Sequence, residues 1–465
     1  MRFLFIYSVM IVTNSMQKHK IVTDDLAPEA VSFLQAFMYW LKLGFISFGG
    51  PAGQISIMHH DLVEKKHWIS ETRFLHALNY CMVLPGPEAQ QLATYIGWLM
   101  HRTWGGIVAG ALFVLPSFFI LSALAWVYMV YGSVPAVAGI FYGIKPAVVA
   151  IVLFAAYRIG ARALKNQVLW AIAGLAFIAI FVLNLPFPLI VLAAAVIGHF
   201  GGRAAPQHFK VGGSHGGAKK DYGAALIDDD TPTPEHARFS WKKLLKVALV
   251  GLGIWSLVMM TLVSIYGWHG AFTQMAWFFT KAALMTFGGA YAVLPYVFQG
   301  AVEHYQWLTP VQMMDGLALG ETTPGPLIMV VTFVGFVGGW VTQAFGADAV
   351  FASAVAAAGV VTFFTFLPSF VFIFMGAPFI ESTHGNLKFT APLSAITAAV
   401  VGVILNLALF FAYHVFWPGG LEADIDWFSV GLTALAVAAV FRFKLNVIPV
   451  ILVCGGVGMA FKLLA

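Results

Sequence analysis

One block of this chain occurs twice, without a gap. Lys42, Phe48-Gly49-Gly50, Trp68 and Pro85-Gly86-Pro87 return as Lys281, Phe287-Gly288-Gly289, Trp307 and Pro324-Gly325-Pro326, each 239 residues further on. Glu64/Glu303 and Leu78/Leu317 keep the same offset. Glycine, proline and lysine are costly inside apolar segments, and chance does not place them twice in register. The chain is an internal duplication, and any fold for it must be built from two copies of one unit.

The unit belongs in a bilayer. The chain is 60% hydrophobic and 10% charged, against about 25% charged residues in a soluble domain. Its apolar segments recur at the roughly 20-residue length of a membrane helix. Both features imply an all-α polytopic membrane protein. The 25 basic and 20 acidic residues sit mainly between these segments, so the net charge of +5 reads as topology information, not as a nucleic-acid footprint. Cys81 and Cys454 both lie in apolar segments, which argues against a disulfide and against a cysteine metal site. The histidines show no metal-ligand spacing, and His59, His60 and His67 read as parts of a solvated loop. The apolar run Phe3–Val12 is too short to span and lacks a small-x-small cleavage site, so 1–30 reads as a leader.

The segments expected to span are 32–57, 73–98, 104–131, 136–157, 168–184 and 186–200, then 243–266, 272–298, 312–338, 349–374, 389–416, 427–441 and 445–464. That makes about 13. A second repeated motif supports the division: Leu115-Pro116-Ser117-Phe118 matches Leu367-Pro368-Ser369-Phe370 at an offset of 252. The expected organisation is a first repeat at 31–200, a polar glycine-rich linker at 201–242, an extra helix at 243–266 and a second repeat at 267–465. The linker glycines are not a phosphate loop, since no strand precedes them and no Gly-Lys-Ser/Thr follows. Six spans return the chain to its starting side and the extra one moves it across, so two inverted six-helix repeats are expected. Positive-inside counting agrees if the linker, with Lys219, Lys220, Arg238, Lys242, Lys243 and Lys246, is cytoplasmic. Arg102, the Arg158/Arg162/Lys165 loop, Lys388 and Arg442/Lys444 then fall inside as well. One loop disagrees: His59–Thr72 carries Lys65 and Lys66 yet is placed outside.

Inverted repeats with breakers in mid-helix are the pattern of secondary transporters, whose half-helix N-termini bind anions near the midplane. Ser47, Gly49 and Gly50, with Thr286, Gly288 and Gly289, mark one pair of breaks. Pro85, Gly86 and Pro87, with Pro324, Gly325 and Pro326, mark the other. A packing kink explains one such motif, but four at matched positions favour a binding site. Lys42 and Lys281 sit roughly 15 Å into their segments at about 1.5 Å per residue. Snorkelling is the alternative for each, and a matched pair favours a clamp on a substrate anion. Glu88 and Glu321 are the acids closest to the breaks and do not share the repeat offset. Each fits a proton carrier or a countercharge to a lysine, and both roles stay open. Gln90, Gln91, Thr322 and Thr323 add hydrogen-bonding groups nearby.

These residues bring a known family into view. Phe48-Gly49-Gly50-Pro51, Leu84-Pro85-Gly86-Pro87-Glu88-Ala89-Gln90-Gln91-Leu92-Ala93 and Glu321-Thr322-Thr323-Pro324-Gly325-Pro326-Leu327 resemble the signatures of the chromate ion transporter family in its long, two-repeat form. The resemblance covers roughly 32–200 and 272–464. It departs at Ala290, where second repeats often carry a third glycine. It implies export of chromate across the bacterial plasma membrane by secondary active transport, conferring resistance. Sulfate is then the competitor or exchange partner. Neither a cofactor nor a metal is implied, no nucleic acid is a partner, and a homodimer is compatible with it. The other function classes to weigh are a transporter or exchanger of sulfate or another oxyanion, an anion channel, and a membrane reductase. No Walker motif and no nucleotide fingerprint is present, which places an ATP-driven pump or a reductase low.

Overall fold

The structure is a computed structural model that describes residues 30–48, 50–209, 222–229, 231–232, 234–383, 390–420 and 422–464. Gly49, Lys219, Lys220, Lys388 and the leader up to residue 29 lie outside the described residues. Seven described helices are long and apolar enough to cross a bilayer, and four shorter apolar ones accompany them.

Ser32 opens α1 (Phe33–Ile46) with a capping box: its hydroxyl accepts from Gln35 N–H, and the Gln35 side chain accepts from Ser32 N–H. The helix stops at Ser47. α2 (Gly50–His59) then runs on into a π turn, His60–Lys65. α3 (Glu71–Cys81), capped by Ser70, ends before the Pro-Gly-Pro triplet, and α4 (Glu88–Tyr131) starts directly after it. α4 is not one rod, because His101 and Arg102 leave helical dihedrals, Arg102 with φ 57°. The limb 88–100 therefore folds back along 103–131. Gly97 packs on Gly105 and Ala109, and Gly110 packs on Gln90 and Thr94, as an antiparallel pair requires.

Three ties fix where these limbs end. His101 Nε2 bonds Val31 O at 2.9 Å, and His236 Nε2 bonds Trp98 O at 3.0 Å. Ile69 pairs with Ile227, and Ser70 N–H donates to Ile227 O at 3.0 Å. The start of α1, the loop after α2 and the 101–102 turn thus share the end of the bundle that holds the described linker residues. Gly44 packs on Leu112 and Pro116, well inside the 103–131 limb, so the breaks lie at mid-depth.

The first two expected spans are corrected by this geometry. Segments 32–57 and 73–98 do not cross; each belongs to a re-entrant hairpin that turns back at its Gly or Pro break. The side of the His59–Thr72 loop is corrected too. It pairs with the linker, so Lys65 and Lys66 cease to be exceptions to the charge rule. Nor is this loop merely solvated: Lys66 Nζ lies 5.0 Å from the Trp68 ring, and His59 bonds Glu71.

From the far end, α5 (Pro135–Ala163), α6 (Gln167–Phe181) and α7 (Phe187–Ala204) complete the first repeat, and α8 (Trp241–Tyr266) carries the chain across again. There α9 (Ala271–Leu284) and α10 (Ala290–Phe298, with its π turn Gln299–His304) form a third hairpin. α11 (Pro310–Thr322), the 3-10 turn Leu327–Met329 and α12 (Val330–Thr342) form a fourth. Tyr305 OH donates to Gln274 Oε1 at 3.1 Å, and Gly338 packs on Met275 and Trp307, so both open at the far rim. The two π turns are 239 residues apart, as are the positive-φ residues His67 (49°) and Gln306 (53°). The repeats are inverted, and their inversion is visible in where the hairpins open. Segments 272–298 and 312–338, expected as spans, are hairpins as well. α13 (Val350–Thr383), α14 (Thr390–Phe416), α15 (Trp427–Val437) and α16 (Val447–Leu464) close the second repeat. Among the described residues, four of the thirteen expected spans are hairpins and the other nine coincide with single helical segments.

Candidate functional site

The four breaks meet. Gly86 N–H donates to Thr286 O at 2.8 Å, and Gly325 N–H donates to Ser47 O at 2.8 Å. These are one bond and its image, since Ser47/Thr286 and Gly86/Gly325 share the repeat offset. Pro85, Pro87, Pro324 and Pro326 offer no N–H. The glycine is therefore the one backbone donor of each triplet, and it is committed across the repeat boundary. Gly86 and Gly325 hold φ of 130° and 101°, where only glycine is unstrained. A Cβ on Gly86 would lie 2.4 Å from Ser369 Oγ, and one on Gly325 would lie 2.7 Å from Ser117 Cβ. The Leu-Pro-Ser-Phe motifs are thus the walls against which the opposite repeat's Pro-Gly-Pro packs. Gly288 and Gly289 supply the positive φ of their turn, at 81° and 96°, and Ala290 simply opens α10. A third glycine is not needed there.

The backbone is symmetric, but the lining is not. Gln54, Gln90, Gln91 and Thr94 are fully buried beside the crossing in the first repeat. Their second-repeat equivalents are Val293, Met329, Val330 and Phe333. Gln54 Nε2 donates to Gly325 O at 2.6 Å and to Ser47 O at 3.2 Å, while Gln91 Nε2 donates to Pro85 O at 2.8 Å. Ser47 Oγ, Ser117 Oγ, Gln54 Oε1, Gln90 Oε1 and Gln91 Oε1 are buried with no hydrogen-bond partner. Thr286, in contrast to Ser47, spends its hydroxyl on Ala282 O. Native interiors leave few polar groups unmet, and five of the unpartnered buried atoms gather at this crossing.

Charge approaches from one side. Glu88 is the first residue of α4 and lies within electrostatic reach of Arg162, while Glu321 is bonded by Tyr291 OH and lies within reach of Arg158. Arg158 and Arg162 are one turn apart on α5, near its linker end. The sequence, read with the span ending at 157, places both in a loop. The missed signal is the absence of any helix stop before Asn166, which instead caps α6. The two lysines are not brought together. Lys42 lies on the exposed face of α1, opposite Gly44, and Lys281 Nζ sits 5.5 Å from the Trp277 ring. Gly49 lies outside the described residues. Among the described residues no group of three histidine, cysteine or acidic side chains could hold a metal ion.

This arrangement of broken, inverted hairpins can be compared with known proteins. The family described as "Chromate transporter" matches residues 34–199 and 273–459, one stretch for each repeat. The chain belongs to the chromate transporter family. Members are transporters, not enzymes, and the apolar helices make this one a multi-pass membrane protein of the bacterial type. The chain is similar to the chromate transport protein of Pseudomonas aeruginosa, 32% identical over 94% of each chain. It is similar to that of Cupriavidus metallidurans, 31% identical over 88% of each. An uncharacterized transporter of Bacillus subtilis is 31% identical over 30% of this chain and 72% of its own length. No solved structure matches.

Proposed function

We propose that this chromate transporter is a secondary active exporter of chromate, loaded at the crossing of the four breaks. One observation carries the reading: reciprocal Gly–carbonyl bonds join inverted hairpins beside the buried, unpartnered hydroxyls of Ser47 and Ser117. The second limb of every hairpin begins at mid-depth, so four helix N-termini point their positive ends inward. The Ser47 and Ser117 hydroxyls, and the second amide N–H of Gln90 and of Gln91, then donate to the oxyanion. Arg158 and Arg162 draw it in from the linker end, and Lys42 and Lys281 add long-range positive potential. The basic linker is cytoplasmic, which makes this end the loading side and the direction export. Glu88 and Glu321 are the candidates for coupling at the site itself, since each is an acid at a break facing an arginine. Inverted symmetry supplies the two faces that alternating access needs.

Oriented vesicles with labelled chromate, and with sulfate as competitor, test this. Saturable chromate flux that starts from the linker side and responds to an imposed ion gradient is expected. Sulfate uptake that chromate does not compete would reassign the substrate to another oxyanion. Unsaturable flux indifferent to the gradient would make the protein a channel.

A further inference from the structure

Asp315 stands apart from the breaks and is used by nothing described so far. It lies on α11, six residues before Glu321, and is 2% exposed. Tyr128 OH, from the far end of α4, donates to its Oδ2 at 2.9 Å. Its Oδ1 is buried with no hydrogen-bond partner. Lys145, ten residues into α5 from the far end, is the cation within electrostatic reach. No ion pair closes between them, so in this conformation the carboxyl is half satisfied. A lone buried acid is expensive in a membrane and is by default a functional residue.

Its surroundings isolate it. The helices packed on α11 are α4, α5, α12, α14 and α16. α12 carries no ionisable side chain. On α16, Lys462 is stacked over Tyr142 and Cys454 packs near Gly143, and on α14 His414 lies against Phe410 and Tyr413. Tyr128 and Lys145 are the groups that interact with Asp315, while Glu321 follows on its own helix toward the breaks. α11 and α5 therefore oppose two acids with two bases: Asp315 with Lys145 in the half toward the far rim, and Glu321 with Arg158 near the crossing. The pseudo-twofold image of Asp315 is His76, since the two are 239 residues apart. His76 lines a cavity of about 290 Å³ at the linker end with Thr72, Arg73, Asp229, Ile380 and Glu381. Ile380 stands where Tyr128 does, by the 252 offset. Equivalent mouths thus hold a histidine on one side and a buried acid on the other.

We propose that Asp315 is a proton-binding site at the far mouth, and that its exchange between a neutral acid hydrogen-bonded to Tyr128 and a carboxylate paired with Lys145 ties proton movement to oxyanion movement. The proton comes from water at the far side and returns to water, so no other reactant is needed. This rests on the transport reading above.

The test uses the full-length protein in proteoliposomes, at alkaline pH where chromate stays a dianion. Two readouts are compared: chromate counterflow without a pH gradient, and chromate accumulation driven by one. Wild type is expected to show both. Asp315→Asn is expected to keep counterflow within about twofold while losing about tenfold or more of the accumulation driven by an imposed pH difference of about one unit, the factor that one coupled proton contributes. Asp315→Glu should restore it, and Lys145→Gln should displace the pH of half-maximal accumulation. Accumulation by Asp315→Asn at the wild-type level would overturn the proposal. So would loss of both readouts in Asp315→Asn, if Asp315→Glu restored no accumulation and Lys145→Gln kept the wild-type pH profile, since Asp315 would then be a packing residue. Wild-type counterflow without any gradient-driven accumulation would also overturn it and leave oxyanion transport standing. Absence of counterflow in wild type would instead sink the transport reading.

Discussion

Gly325→Ala is the substitution that tests the crossing most directly. At φ 101° an added side chain costs about 1–3 kcal/mol in backbone strain alone. The new Cβ would also lie 2.7 Å from Ser117 Cβ and 3.0 Å from its Oγ. Both belong to a helix interior that cannot swing away, so overpacking adds about 1–3 kcal/mol. The expected loss is about 2–6 kcal/mol, a large part of the stability of an ordinary domain. Gly288→Ala is the control: at φ 81° its nearest neighbour would be Thr397 Oγ1 at 3.6 Å, so strain is the whole cost. Ser117→Gly removes the clashing atoms at a cost of about 1 kcal/mol for glycine in a helix. Equilibrium unfolding in mixed detergent micelles, followed by tryptophan fluorescence, gives the double-mutant cycle. Gly325→Ala with Ser117→Gly should be less destabilised than the sum of the singles by about 1–3 kcal/mol. A coupling near zero would refute the packing of one repeat's triplet on the other repeat's wall.

Arg162→Gln should raise the KM for chromate by about tenfold to about a hundredfold, from the roughly 1.5–3 kcal/mol of a charge-assisted bond, with the protein still in the membrane; an unchanged KM would remove α5 from the substrate path. Arg73 Nη1 donates to Glu381 Oε2 at 2.6 Å, with 15% and 5% of the side chains exposed. Arg73→Ala should cost about 3–5 kcal/mol by stranding the acid, and adding Glu381→Gln should recover part of that in the same unfolding assay. Burial holds the His236 imidazole below its ordinary range, with Arg102 and Lys243 adding to the effect and the Trp98 carbonyl opposing it. Because the folded value is the lower one, the stabilisation from docking a neutral ring is complete above about pH 6.5 and fades as pH falls through the folded value. Proteolysis of the linker should therefore accelerate on acidification, and His236→Gln should flatten that dependence. Glu88→Gln and Glu321→Gln should each alter the pH profile of transport, and two unchanged profiles would make both acids structural.

The duplication, its inversion and the location of the breaks were legible because glycine and proline announce themselves in an apolar background. The hairpins were not. α1 and the greater part of α2, residues 32–57, read as one apolar crossing, and hydropathy records length without recording whether a break reverses the chain. The trace of the reversal was a charge anomaly, Lys65 and Lys66 in a loop assigned to the wrong side. Gln90 and Gln91 were seen as useful donors, but Gln54, Ser117 and Ser369 reach the site only through tertiary packing. The lysines share the repeat offset, and helical phase puts Lys42 on the face of α1 away from Gly44. Arg158 and Arg162 were lost by ending a helix two turns early.

The crossed bonds between the breaks also bear on how the protein is made. The first half leaves the ribosome with Gly86 N–H and Ser47 O lacking partners that only the second half contains. An unmet backbone group in hydrocarbon costs several kcal/mol, so the first pair of hairpins cannot settle at its final depth when it is synthesised. The straight helices can enter the bilayer as they emerge, whereas the hairpins must wait near the surface for their counterparts. Closure of the crossing is then the last act of biogenesis, and chains severed within the linker should regain function only when both fragments are supplied together.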